Sequence, residues 1–115
     1  MSKVRDRIPV CKHSKREDLS PDLCVLIDKI EGALGYDLTF SSGLRCPACN
    51  AKVGGVPNSA HLHGKAVDVI AGDSVSRFHL VSLALEFNVV RIGIARRFIH
   101  LDVDKNLPGH VLWLY

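Results

Sequence analysis

Two short stretches in the second half of the chain alternate between apolar and polar or small residues. They span residues 65–71 and 98–103. Successive side chains of a β-strand point to opposite faces, so each stretch has one apolar face that suits a core. The other face carries Asp68 in the first stretch and His100 with Asp102 in the second. We therefore expect two strands of one sheet, with ionisable groups on the face turned away from the core.

Apolar residues at helical spacing predict two amphipathic helices. Ser20 and Pro21 begin the first helix as N-cap and first helical residue, and Gly32 and Gly35 end it. Ser74 or Ser76 caps the second helix. In the first helix the inward residues are predicted to be Leu23, Ile27, Ile30 and Leu34. In the second helix they are predicted to be Phe78, Val81 and Leu85, with Leu80 as a further candidate.

The predicted fold class is α+β, because helices and further strands surround the two alternating stretches. Strands are expected at residues 37–41, 65–71, 89–95, 98–103 and 111–115, with a helical turn near residues 48–53. The sheet is expected to be mainly antiparallel, with helices packed on one face and the ionisable site on the other. A chain of 115 residues suits one domain, which we place at residues 19–115 after an irregular N-terminal arm at residues 1–18.

Charge decides little about function. We expect a monomer with no nucleic-acid partner and no insertion into a membrane. The net charge is +3 and the cations are scattered, whereas nucleic-acid binders cluster theirs. No apolar run approaches the roughly 20 residues of a membrane span. The start shows no secretory signal, so we expect synthesis in the cytoplasm and delivery by another factor to any target outside.

The chain has four cysteines, of which Cys46 and Cys49 form a CxxC unit. Such a unit can be half of a zinc site, a redox motif or a loop staple. A four-thiolate zinc site would need Cys11 and Cys24 to converge on the pair. Cys24 instead falls on the apolar stripe of the first helix, so the role of the cysteines stays open.

His61 lies in the loop before the Asp68 strand, with Gly64 between them. Together with His100 these residues offer two nitrogens and one carboxylate, which suits a zinc ion with an open fourth position. Bound water at that position becomes a usable nucleophile. His63 is a rival to His61, and a strand histidine is more often an ordinary core or surface residue. The remaining histidines are expected at the surface: His13, His79 and His110.

The order of residues resembles a known family. Residues 59–68 match the pattern Ser-x-His-x-x-Gly-x-Ala-x-Asp of the D-Ala-D-Ala carboxypeptidase-type zinc peptidases. Residues 42–45, Ser-Gly-Leu-Arg, resemble the family's Ser-Gly-Tyr-Arg stretch, and residues 98–102 resemble the strand with its last metal ligand. This family includes peptidoglycan carboxypeptidases and phage endolysins, and shares its metal core with the hedgehog signalling domain.

The resemblance implies one zinc ion held by His61, Asp68 and His100, which favours His61 over His63. It implies that Arg45 binds the substrate's carboxylate or polarises its carbonyl. Ser59 would position substrate or the ligand loop, or would merely bond nearby backbone.

The acid–base residue departs from the family pattern. Many relatives have an acid three residues before the last ligand, where this chain has Arg97. Asp102, on the same strand face as His100, would then be either the general base or a partner that orients the ligand. Trp113 and Tyr115 would line the groove or pack in the core, and we expect the core.

The function implied is a zinc metallopeptidase, of the D,D- or L,D-carboxypeptidase or endopeptidase type, that hydrolyses D-amino-acid-containing peptides of bacterial peptidoglycan. The small size suggests a phage or prophage origin. The alternative is a catalytically weak zinc module that binds peptidoglycan or a protein partner. These two hypotheses differ in turnover, not in metal content.

Overall fold

The computed structural model describes residues 3–115 of the chain. Its α-helices are α1 (Val4–Arg7), α2 (Pro21–Leu34), α3 (Pro47–Lys52) and α4 (Ser74–Glu86). Its strands are β1 (Phe40–Ser42), β2 (Ala66–Ile70), β3 (Arg91–Ile94), β4 (Phe98–Asp102) and β5 (Val111–Leu114). Two 3₁₀ turns, Arg16–Asp18 and Ala60–His63, complete the elements.

The five strands form one mixed sheet in the order β1-β2-β4-β3-β5. All neighbours are antiparallel except β3 and β5, which pair in parallel. Strand β4 lies between β2 and β3, so Asp68 and Gly93 both pair with His100. The α+β class with a mainly antiparallel sheet is therefore confirmed, and the two alternating stretches occupy adjacent central strands.

The hydrophobic core lies between the sheet and helix α2, which packs beside α4. Ser20 caps α2 as predicted, accepting a hydrogen bond from the backbone N–H of Leu23, and the helix ends at Gly35. Gly32 lies inside the helix and does not end it. Residues with no more than 2% exposure that fill this core include Leu23, Ile27, Ile30, Val67, Val69, Leu80, Ala84, Ile92, Ile99 and Leu101.

Helix α4 turns a different face inward from the one predicted. Phe78 and Leu85 are 70% and 59% exposed, whereas Leu80 and Ala84 are buried. The N-cap is Asp73 and not Ser74 or Ser76 as predicted, since the side chain of Asp73 accepts a hydrogen bond from the N–H of Ser76 and the helix begins at Ser74. A short helix with apolar residues on most sides gives no single stripe, so its inward face depends on the neighbouring elements.

The N-terminal segment differs from the irregular arm that was expected. Val4 in α1 and Ile8 just after it are buried in the main core. The guanidinium of Arg7 pairs with the buried Glu31 of α2 at 2.5 Å. The apolar residues of the N-terminal segment therefore form part of the core. The polar composition of residues 1–18 gave no sign of this. Met1 and Ser2 lie outside the described residues.

The remaining elements follow the predicted pattern closely. The helical turn expected near residues 48–53 is α3, and the strand expected at residues 37–41 begins only at Phe40. Within residues 3–115, no helix combines the length and the apolar character needed to cross a membrane.

Candidate metal centre

His61 is held at the site by its own short turn. Ser59 caps this turn, accepting a hydrogen bond from the backbone N–H of His61 at 3.2 Å. Gly64 ends it with φ at 66°, and an added Cβ there would collide with the carbonyl oxygen of Asp18. Only glycine suits both the left-handed backbone and the close approach. The chain can thus reverse within a few residues between His61 and β2.

Asp68 and His100 are directly paired across β2 and β4, on the sheet face opposite the core. The Oδ1 atom of Asp68 lies 3.0 Å from Nδ1 of His100 and 3.2 Å from Nε2 of His61. One potential ligand atom from each residue falls within 4.8 Å of the others. All three side chains are buried, with exposures of 2% to 7%.

The second ring nitrogen of each histidine is already engaged. Nδ1 of His61 donates to the carbonyl oxygen of Gly43 at 2.7 Å, and Nε2 of His100 donates to Oδ2 of Asp102 at 2.6 Å. These bonds leave the other nitrogen of each neutral ring as a lone pair directed at Asp68. Two lone pairs and a carboxylate oxygen repel one another unless a cation or a proton lies between them. The donor set therefore fits a zinc ion, with Gly43 and Asp102 fixing the tautomers.

The electrostatics of Asp68 and His100 also favour a cation at this site. Burial would raise the pKa of Asp68, but hydrogen bonds from His100 and His61 outweigh it and lower that pKa to about 2. Burial would lower the pKa of His100, but the carboxylates of Asp102 and Asp68 outweigh it and raise that pKa. Both shifts favour positive charge between the two carboxylates, which is the place that a divalent cation would take.

Both oxygens of Asp102 are occupied. Besides His100, the carboxylate accepts from Nε of Arg91 at 2.8 Å and from the backbone N–H of Asp104 at 3.2 Å. Asp102 is 1% exposed. Arg97, at the position of the usual acid, lies exposed in the β3–β4 turn. The geometry favours the orienting role for Asp102, because a general base needs a free oxygen facing the reacting water.

His61, Asp68 and His100 line a groove of about 760 Å³ together with Arg45 and Ser59. Nε of Arg45 is buried without a hydrogen-bond partner. A guanidinium in this state is available for an anionic ligand. A cavity of similar volume, about 780 Å³, lies between the N-terminal segment and α2, away from these residues.

Trp113 and Tyr115 line this groove, so the expectation that they pack in the core is wrong. The indole of Trp113 lies over Gly93, where an added Cβ would come within 2.7 Å of the ring. Its centroid is 5.2 Å from that of His100, and the guanidinium of Arg91 stacks on it at the same distance. Because Gly93 has no side chain, the indole of Trp113 can pack beside His100.

A family model for peptidase M15 matches residues 4–102. The chain belongs to the peptidase M15 family. M15 peptidases are zinc-dependent hydrolases of peptides, and the His61–Asp68–His100 group offers two nitrogens and a carboxylate oxygen, donors that zinc accepts. A search of curated proteins finds no match. In this M15 chain β5, with Trp113, lies beyond the matched residues.

Several sequence expectations can be placed against the M15 site. His63 is exposed and lies outside the ligand group, as do His13, His79 and His110, which are exposed as predicted. Cys11 approaches Cys46 and Cys49, whereas Cys24 packs half-buried against the core.

Two groups that contact the site residues were not predicted from the sequence: the carbonyl of Gly43, which contacts His61, and the side chain of Arg91, which contacts Asp102. Arg91 is two residues before Gly93 on one strand, so the alternation of side chains could have identified it as a residue on the same face as the site. The carbonyl of Gly43 left no such signal, because a backbone acceptor carries no mark in the sequence.

Proposed function

We propose that this M15 peptidase hydrolyses peptide bonds in bacterial peptidoglycan, in peptides that contain D-amino acids. His61, Asp68 and His100 hold one zinc ion in this proposal. The convergence of two oriented imidazoles and a carboxylate in one groove is the observation that carries it. The resemblance of residues 42–45 and 59–68 to the peptidoglycan carboxypeptidases supports the substrate class.

Zinc bound by these residues supplies Lewis acidity, which polarises a scissile carbonyl and acidifies water. Asp102 acts as a positioning residue that holds Nε2 of His100 and so keeps Nδ1 directed into the site. Arg91 neutralises Asp102 and fixes its orientation. Buried between the sheet and the groove, these groups keep the ligand geometry rigid while the groove remains open to a peptide.

Arg45 is the substrate-binding residue of the proposal. Arg45 lines the same groove as His61, Asp68 and His100, and its Nε is buried without a hydrogen-bond partner. A planar fork with several donors binds a carboxylate in two parallel bonds, so it suits the free carboxyl group of a stem peptide. Ser59 contributes indirectly, because its hydroxyl is already engaged with the N–H of His61.

The test combines elemental analysis with a muropeptide assay of wild type, His61→Ala, Arg45→Lys and the control His79→Ala. We expect zinc and peptide release in wild type and control. His61→Ala should lose peptide release and about one zinc equivalent per chain relative to wild type, whereas Arg45→Lys should keep the wild-type zinc content with a raised KM. Equal zinc content in wild type and His61→Ala would place the metal elsewhere. Activity unchanged in Arg45→Lys would remove Arg45 from the proposal.

The second candidate is a zinc module that binds peptidoglycan with little turnover. Its supporting observation is that Asp68 and Asp102 are the only carboxylates lining the groove within residues 3–115, and both are engaged. The measurement is binding of the zinc-loaded chain to purified sacculi beside the release of soluble peptides. Saturable binding without release favours this candidate, whereas release at rates well above zinc-free protein favours the enzyme.

A further inference from the structure

Three cysteine thiols meet at the base of the loop that carries Arg45. Cys46 and Cys49 lie at the start of α3, and Cys11 reaches them from the N-terminal segment. Their sulfur atoms all lie within 4.8 Å of one another. All three are free thiols of intermediate exposure. We call these residues the cysteine cluster; none of them belongs to the M15 metal ligands.

The backbone holds the cysteine cluster in place without help from the sulfurs. Val10 forms a parallel bridge with Leu44, in which the N–H of Cys11 donates to the carbonyl of Leu44 at 3.0 Å. In return the N–H of Leu44 donates to the carbonyl of Pro9 at 2.9 Å. The two segments, more than thirty residues apart in sequence, are thus fixed side by side with their thiols facing.

Backbone N–H groups already point at two of the sulfurs. Sγ of Cys46 accepts from the N–H of Cys49 at 3.4 Å, and Sγ of Cys11 accepts from the N–H of His13 at 3.4 Å. Such bonds favour thiolate over thiol. Zinc–sulfur bonds of about 2.3 Å in a tetrahedron put sulfurs about 3.8 Å apart, so a contraction of at most about 1 Å would close the cluster on the ion.

We propose that Cys11, Cys46 and Cys49 bind a second zinc ion, which fastens the N-terminal segment to the loop carrying Arg45. Three thiolates select a soft or borderline cation, and a disulfide would leave one of the three unpaired. The fourth position is open to solvent or to His13 or His63, which line the cavity beside Cys46. Cys24 takes no part, because it lies against the main core.

The acidities of the thiols agree with this site. A hydrogen bond with the hydroxyl of Ser14 outweighs burial and lowers the pKa of Cys11 to about 6. Hydrogen bonds with Cys46 and Cys11 raise the pKa of Cys49 to about 11. One thiolate therefore forms readily near neutral pH, and the others lose their protons only against a cation.

The experiment is zinc stoichiometry of the 115-residue chain after zinc loading and dialysis under reducing conditions. We expect about two zinc ions per chain in wild type and in the matched control Cys24→Ser, and about one in a Cys11→Ser/Cys46→Ser/Cys49→Ser variant. His61→Ala should also retain about one. After exchange with cobalt, the thiolate-to-metal charge-transfer band should persist in His61→Ala and vanish in the triple serine variant.

Equal zinc content in wild type and the triple serine variant would overturn the proposal. Thiol labelling of wild type provides a second test that does not depend on the folding of the triple serine variant. Three of four thiols should resist the reagent until a chelator is added, and equal labelling with and without chelator would also overturn it. This site stands apart from the proposed peptidase: a sulfur-ligated metal in His61→Ala supports it even where wild type releases no peptide.

Discussion

The substitution Asp102→Asn separates the two roles considered for Asp102. The carboxylate accepts three hydrogen bonds, from Nε2 of His100 at 2.6 Å, Nε of Arg91 at 2.8 Å and the N–H of Asp104 at 3.2 Å. Asparagine has nearly the same shape but offers one oxygen and one N–H₂ group. Whichever way the amide is turned, an N–H donor faces another donor.

The magnitude follows from that mismatch. With its oxygen kept toward Arg91, the amide donates to Nε2 of His100 and moves the ring proton to Nδ1, the atom that should face the metal. Loss of an orienting partner of a ligating histidine weakens metal binding about 10- to 100-fold. That range corresponds to about 1.4–2.7 kcal/mol, comparable to one charge-assisted hydrogen bond.

The assay is zinc affinity by competition with a chelator, measured beside kcat on muropeptides. We expect zinc affinity to fall within that range in Asp102→Asn and to stay at the wild-type level in Asp104→Asn, a neighbouring acid that does not touch His100. Unchanged zinc affinity with a large loss of kcat would refute the positioning role and make Asp102 the general base.

Three further predictions concern the metal, the indole of Trp113 and the core. The rise in Tm on adding zinc should grow as the pH increases above 6.5, the ordinary histidine pKa, because the raised pKa of His100 stabilises the metal-free state only until the pH passes through it; a pH-independent rise would contradict this. Gly93→Ala should displace the indole of Trp113, costing about 1–3 kcal/mol, and should change the fluorescence of the chain's single tryptophan; an unchanged spectrum would refute the contact. Leu80→Ala should lower the free energy of unfolding by about 2–5 kcal/mol, whereas Phe78→Ala should change it by about 0.5 kcal/mol or less in denaturant titrations; equal effects would contradict the observed face of α4.

The central part of the fold was predictable because its periodicity is strict. Alternation alone placed His100 and Asp68 on one face of adjacent strands, and the Ser20-Pro21 cap fixed the start of α2. Where the period was weak, as around Phe78, propensity could not select the inward face. The parallel pairing of β5 with β3 was not foreseen, because it depends on where the long connection after Asp102 returns.

The candidate site was also predictable only in part. Side-chain donors could be read from the sequence, but not the contacts that orient them, such as the Gly43 carbonyl on His61. The meeting of Cys11 with the CxxC pair was equally hidden, because it depends on a long-range bridge between Val10 and Leu44. Long-range contacts of this kind have no local pattern, so only the folded chain reveals them.

The direct cross-strand pairing of Asp68 and His100 makes these two positions a template for redesign. Their separation is set by the hydrogen-bonded ladder of β2 and β4 and not by the identity of either side chain. A replacement such as Asp68→His would therefore exchange a hard donor for a softer one on an unchanged frame, shifting preference among divalent metals. Competition titrations with cobalt, nickel and zinc would measure that shift.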